Sequence, residues 1–245
     1  MFMELELIDN ELFKTAFESI SKIVDEVVCN IDSEGFYVNA IDRSHICFVQ
    51  LTLQKELFDS FSCSVPERIC LDTIQFMQIL KRVKKNDVLG LKVDENNLIV
   101  DLKGVVDKTF KIRLIDTDYE TQKPPSIPFD VGAYIESSML KDALGDMELF
   151  ADSLSIKIDE ELLSIFTDGE FGDAKFEFLH GEKVNETVQS SFSISKLKDI
   201  LSASRFSEFA TIYIGNDMPL QLVFRTLDEN GELSFLLAPK INQEE

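Results

Sequence analysis

Ile112-Arg113-Leu114-Ile115-Asp116-Thr117-Asp118-Tyr119-Glu120-Thr121-Gln122-Lys123-Pro124-Pro125-Ser126-Ile127-Pro128 separates two halves of similar length. The stretch opens with apolar and charged residues in alternation, turns acidic at Asp116, and ends in a run that holds three of the six prolines. Proline fixes φ and has no amide donor, so such a run is neither helix interior nor central strand. It reads as an extended, solvated connector.

A central connector invites a comparison of its flanks, and they repeat. Without a gap, Leu12-Phe13-Lys14 lies over Met139-Leu140-Lys141, Ala16-Phe17 over Ala143-Leu144, Asp25 over Asp152, Ile31-Asp32 over Ile158-Asp159, Glu34 over Glu161 and Val38 over Ile165. Further on, Leu71-Asp72-Thr73-Ile74 falls over Ile194-Ser195-Lys196-Leu197, and Leu89 and Leu91 over Ile212 and Ile214. The chain is a tandem duplication: domains at 1–116 and 129–245, joined by 117–128.

Within the first half, Met3, Leu5 and Leu7 alternate as in a half-buried strand. Asp9 is placed to cap a helix whose apolar face is Leu12, Phe13, Ala16, Phe17 and Ile20. Several short strands follow, with Asp32-Ser33-Glu34-Gly35 as a hairpin turn. Asp72 and Gln75 resemble a capping box for a second helix with Ile74, Met77 and Leu80 inward and Lys81, Arg82, Lys84 and Lys85 at its exposed end. Strands at 88–93, 98–102 and 109–115 complete the half. The second half repeats the plan, with Ser137 and Ser195 starting its helices and strands at 154–158, 162–167, 174–179, 210–214, 220–224 and 232–237. Helices and antiparallel strands in this order make an α+β protein.

The charge of −21, from 45 acidic against 24 basic residues, keeps most of the surface away from phosphate. No apolar run reaches the ~20 residues needed to span a membrane, and the start lacks a basic signal-peptide region, so an intracellular, soluble protein is expected. Cys29, Cys47, Cys63 and Cys70 include no CxxC pair and read as reduced thiols, not a disulfide framework or zinc site. Asn185-Glu186-Thr187 reads as a loop. There is no phosphate-binding glycine loop, GxSxG or HExxH. Ser44 and His45, adjacent on an expected strand, point to opposite faces, so the serine is not easily activated by the histidine. Asp116 and Asp118 could bind a divalent cation, but as the entry to the connector they read first as solvated carboxylates. No catalytic constellation, metal or cofactor is expected.

Asn39-Ala40-Ile41-Asp42-Arg43-Ser44-His45-Ile46-Cys47-Phe48-Val49-Gln50-Leu51, together with Leu237-Ala238-Pro239-Lys240-Ile241, resembles the sliding clamp family of proliferating-cell nuclear antigen, and the likeness extends over the whole chain. The resemblance implies a homotrimeric ring of six similar domains, with helices lining a hole that encircles double-stranded DNA and a continuous sheet outside. It implies a non-enzymatic processivity factor, cytoplasmic in an archaeon or nuclear in a eukaryote. It also implies that DNA polymerase, clamp loader, flap nuclease and DNA ligase dock through a short motif with a glutamine, an aliphatic residue and two aromatics. A clamp held by encirclement needs only a weakly basic lining, which accommodates the acidic total. An adaptor of the same fold that never encircles DNA is the alternative from another class; a metal-dependent enzyme built on Asp116 and Asp118 is the third.

These implications assign residues. Lys14, Lys22, Lys81, Lys84, Lys141, Lys196, Lys198 and Arg205 lie on polar helix sides and are the expected DNA-facing set, thinnest on the third helix, where Asp142, Asp146 and Glu148 accompany Lys141. The strands 109–115 and 174–179 end their half-sheets by the repeat, so subunits are expected to join there, with Phe110 and Ile112 meeting Phe176 and Phe178. Ile41, His45, Phe48, Ile127, Leu236, Leu237, Ala238 and Pro239 are the expected partner pocket, a set of apolar residues at strand ends and in a proline-stiffened linker around one histidine.

Overall fold

The alternation at the start of the chain and the helical spacing after it set the first two elements of the computed structural model, which describes residues 3–118, 122–129, 131–169, 172–180, 184 and 186–240. The first half runs β1 (Met3–Leu7), α1 (Glu11–Ile23), β2 (Glu26–Ile31), β3 (Gly35–Ile41), β4 (Cys47–Gln54), β5 (Ser60–Cys63), β6 (Glu67–Asp72), α2 (Thr73–Leu80), β7 (Val88–Asp94), β8 (Asn97–Lys103) and β9 (Lys108–Arg113). The second runs β10 (Val131–Glu136), α3 (Ser137–Met147), β11 (Ser153–Ile158), β12 (Leu162–Gly169), β13 (Gly172–Leu179), β14 (Val188–Ser193), α4 (Ile194–Ile200), a 3-10 turn (Leu201–Arg205), β15 (Phe209–Ile214), β16 (Leu220–Arg225) and β17 (Gly231–Leu237). Apart from β5, a 3-10 turn at Lys55–Leu57 and the 3-10 turn of the second half, the order of elements is the same in both halves, and the fold is α+β.

The turn chemistry is local. Asp32 Oδ1 accepts the amides of Glu34 at 2.8 Å and Gly35 at 3.2 Å, closing the β2–β3 hairpin. Any side chain at Gly35 would run into the Leu53 carbonyl, so the close approach of β3 to β4 needs glycine there. Asp72 caps α2 by accepting the Gln75 amide at 2.7 Å, as the spacing predicts. The other caps differ. Asn10 immediately precedes α1 and its buried side chain donates to the carbonyl of Asp87 at 2.7 Å, while Asp9 Oδ1 accepts the Glu11 amide of the first turn at 3.4 Å. Ser137 lies inside α3 and donates to the Ser207 carbonyl, while α4 begins at Ile194, one residue before Ser195. Because α2 starts at Thr73 and α4 at Ile194, Thr73, not Leu71, is the counterpart of Ile194. That shift turns Phe76 inward and leaves Ile74 53% exposed, contrary to the expected inner face.

The sheets carry the main finding. β5-β1-β7-β8-β9 form one sheet, β13-β12-β11-β14 another, and β10-β15-β16-β17-β4-β3-β2-β6 a third that draws on both halves. The joint is β4 against β17, antiparallel from Cys47↔Leu237 to Leu53↔Gly231. Helices from the two halves also touch: α1 packs against α2, α4 and the 3-10 turn, and α3 against α4 and that turn. Arg205 pairs with Glu18, and Ser202 Oγ donates to Ser19 Oγ at 3.1 Å. One contiguous core therefore replaces the two separate cores that the duplication suggests. Its first-half centre is aromatic, with Phe17 and Phe13 at 4.7 Å between ring centroids and Phe17 and Phe76 edge-to-face at 4.9 Å.

Candidate functional site

The connector crosses the eight-stranded sheet from one edge to the other. At its start Leu114 N donates to Asn96 O at 2.9 Å, Ile115 N to Cys70 O at 2.9 Å, and Arg68 to the Thr117 carbonyl at 3.1 Å, so the chain leaves alongside β6. At its end Phe129 packs on Tyr213 of β15, with ring centroids 6.2 Å apart, and β10 begins two residues later. β6 and β10 are the two edges of that sheet. Spanning eight strands takes about 34 Å at ~4.8 Å per strand, well within reach of an extended chain of this length. Tyr119, Glu120 and Thr121 of the connector lie outside the described residues.

Beneath the connector, cross-strand register aligns one row of side chains. Ile41 faces Phe48, Phe48 faces Leu236 and Leu236 faces Gln221, so these four share the face turned away from the helices. The next row, Ala40, Val49, Phe235 and Leu222, points to the opposite face, and its last three members are core residues. A groove of about 170 Å³ lies between the row and the connector, lined among others by Phe48, Gln50, Pro124, Ile127, Phe129 and Leu236. Phe48 is its floor and is only 5% exposed. Ile127 is half-buried, while Pro124, Pro125 and Ser126 are exposed.

The expected pocket thus divides. Phe48, Ile127 and Leu236 meet in this groove, whereas Ile41 and His45 line a separate cleft of about 460 Å³ with Asp25, Asp42, Gln122 and Lys196. Leu237 is corrected: strand alternation turns it into the core at 1% exposure, so it offers nothing to a ligand. Ala238 and Pro239 are half-buried beyond the end of β17, with the Ala238 amide donating to Ile46 O at 2.8 Å. Ile241, the last residue of the second motif, lies outside the described residues. Gln50, Pro124, Phe129 and Gln221 are groove residues that sequence reasoning missed. Proline density could have flagged Pro124, but the others need the register.

The 42–46 loop is tightly built. Asp42 Oδ1 accepts the amides of Ile46 at 2.7 Å and Cys47 at 2.9 Å, and His45 N donates to Asp42 O at 2.9 Å. His45 takes φ +58°, a left-handed conformation in which a non-glycine residue is uncommon, and is exposed. Burial alone pushes the Asp42 carboxyl up, but the amides of Cys47 and Ile46 and the Lys196 ammonium outweigh it and hold the group below the ordinary carboxylate range.

The basic residues divide as well. Lys22, Lys81, Lys84 and Lys141 are exposed and form no ion pair among the described residues. Lys81 caps the end of α2 and Lys84 lies in the turn after it, so neither is on the helix proper. Lys14 pairs with Glu11 at 2.6 Å, Lys198 with Glu148 and Arg205 with Glu18. The Lys198 and Arg205 pairs are exposed and weak, on the order of 0.2–1 kcal/mol, whereas Lys14 is half-buried. Lys196 differs in its partner: its ammonium lies 3.4 Å from the buried carboxylate of Asp42, in the other half.

β9 and β13 are edge strands, as the repeat predicts. Ile112 does not serve an edge contact: paired with Leu98 and 3% exposed, it faces its own core. Phe110, Phe176 and Phe178 are half-buried against the core, while Lys111, Arg113, Lys175 and Glu177 point outward. Leu179, 81% exposed at the end of β13, was not foreseen because alternation alone does not say which face a two-sided edge strand leaves open. Among the described residues no three His, Cys, Asp or Glu side chains cluster closely enough to hold a metal ion, and no helix is long and apolar enough to cross a membrane.

Comparison with known proteins agrees with this architecture. Residues 1–123 match the family model for the proliferating cell nuclear antigen N-terminal domain, and residues 123–240 match that for the C-terminal domain. The chain is 46% identical over 240 residues, 98% of each chain, to a DNA polymerase sliding clamp of Methanothermobacter thermautotrophicus, and 31% identical to that of Thermococcus gammatolerans over 94% of this chain and 95% of the other. A crystal structure of PCNA from Thermococcus kodakaraensis superposes with a TM-score of 0.91 at 28% identity, covering 97% of this chain and 100% of that one. With both domain models matched in order along the two halves, the chain belongs to the proliferating cell nuclear antigen family.

Proposed function

We propose that the protein is a DNA polymerase sliding clamp that works as a closed homotrimer around duplex DNA, without catalytic chemistry of its own. The observation that carries this reading is the β4–β17 joint. By the internal repeat, β13 is the counterpart of β4 and β9 the counterpart of β17, and both are left as open edges. Pairing β13 of one copy with β9 of the next would reproduce the intrachain joint. Because that contact is head to tail, successive copies must rotate into a closed ring or grow into a filament. Three copies would give six joints of one kind, with sheets outside and helices inside.

Such a ring places the exposed cations Lys22, Lys81, Lys84 and Lys141 on the helix side, where they would meet phosphates without reading bases. Lys14, Lys198 and Arg205 would exchange their acidic neighbours for phosphate. The same asymmetry explains an acidic chain on DNA, because encirclement and not affinity provides retention.

The groove under the connector is the proposed site for polymerase, clamp loader, flap nuclease and DNA ligase. Phe48, Ile127 and Leu236 would receive the aliphatic and aromatic groups of a short motif, while the exposed connector backbone pairs with flanking residues. The setting of such a protein is the cytoplasm of an archaeon or the nucleus of a eukaryote. Primer extension on a primed circular template with a cognate polymerase and loader tests the function: the chain should lengthen products made in one binding event, and unchanged product length would remove the proposal.

A further inference from the structure

Lys196 belongs to α4 of the second half, yet its ammonium points at a carboxylate of the first. The Lys196 side chain is 33% exposed and that of Asp42 only 5%. The amides of Ile46 and Cys47 both go to Asp42 Oδ1, and Lys196 faces Oδ2, so both oxygens of the carboxylate are engaged. The lysine supplies the one cation paired with this carboxylate among the described residues. The loop so tied carries His45 in its left-handed conformation, and Ile46 O holds the start of the tail beyond β17 through Ala238 N. Lys196, His45, Ile41 and Gln122 of the connector all line the 460 Å³ cleft next to the partner groove.

We propose that Lys196 is a positioning residue of the partner site: from across the junction of the halves it pins Asp42, and with it the 42–46 loop, in the shape that presents His45 to a docking peptide. A residue of the helix layer thereby acts on the outer face. This rests on reading the connector groove as the peptide site. Loss of the ammonium leaves a buried carboxylate with only its amides, and the loop relaxes to rehydrate it. Arginine keeps the charge and reaches the same carboxylate, so it should substitute in part.

The test is calorimetry of the full chain with a synthetic peptide bearing the glutamine, aliphatic and paired aromatic residues, alongside the His45 ring resonances in the free protein. Lys196→Met and Asp42→Asn should each weaken the peptide by roughly fivefold. The double variant should be no weaker than either single one, and Lys196→Arg should restore most of the loss. Lys55→Met, which breaks a surface pair with Glu34, should leave affinity unaltered. The His45 resonances should move in Lys196→Met and Asp42→Asn but not in Lys55→Met. Full affinity in Lys196→Met while Ile127→Ala weakens binding overturns the positioning role and leaves the groove intact. If no peptide binds the parent protein, the groove assignment fails, and unmoved His45 resonances then overturn the positioning role independently.

Discussion

Replacing Ile127 with alanine isolates the connector's contribution to the groove. The change removes three carbons from a side chain that faces Phe48 and Leu236 across about 170 Å³ of space. Fully burying those carbons is worth ~0.8 kcal/mol each, or about 2.4 kcal/mol. Ile127 is already half-buried in the free protein, so at most about half of that is left for a peptide to gain. Affinity should therefore fall by ~1.2 kcal/mol, close to eightfold. Isothermal calorimetry with the motif peptide measures it, and Leu227→Ala, on a side chain 96% exposed in a distant turn, is the matched control. An affinity within twofold of the parent, or an equal loss in Leu227→Ala, would refute the groove.

Phe17→Ala removes the ring at the centre of the first-half aromatic cluster and should cost about 3–5 kcal/mol in denaturant unfolding, with one cooperative transition because the core is shared by both halves. Phe110→Asp puts a charge on the β9 edge and should give monomers by light scattering; an intact trimer of unchanged stability would count against that edge. Replacing Lys22, Lys81 and Lys84 together with alanine should lower the salt slope of DNA engagement by roughly two to three, at ~0.9 per phosphate contact, with oligomer mass unaltered. The Asp42 carboxyl is depressed in the folded chain, so its contribution is present above the unfolded value near pH 4 and is lost as pH falls through the lower folded value. Acid unfolding followed by circular dichroism should accordingly show a flatter acid limb in Asp42→Asn.

The duplication and most elements were legible because their signals are local. Strict alternation marked β1 and β13, and the Leu12, Phe13, Ala16, Phe17 spacing marked α1. β6, β10 and β14 were not foreseen: Ile69, Cys70 and Leu71 run together without alternation, and β14 is rich in serine. The β4–β17 joint could not be read at all, since pairing between strands far apart in sequence is decided by which faces are buried and not by either strand alone. The site follows the same division. Proline density located the connector, whereas the meeting of Phe48, Leu236 and Gln221 in the groove, with Ile41 at the end of their row in the cleft, depends on cross-strand register. Ile112 and Leu237 were misassigned because an apolar residue at a strand end looks alike whether it faces a partner or its own core. The Lys196–Asp42 pair was not foreseen, because helix spacing shows only which side of α4 the lysine occupies, and Asp42 reaches that side from the other half.

A closed ring is held on DNA by topology. Its most direct measurement is retention of the loaded, labelled protein on nicked circular DNA, before and after a single cut that makes the DNA linear, with mass measured in parallel. A closed trimer has a mass near three times 27.9 kDa, stays on the circle in high salt and runs off once the DNA is cut. A monomeric mass, or equal loss from circular and linear DNA, would contradict it.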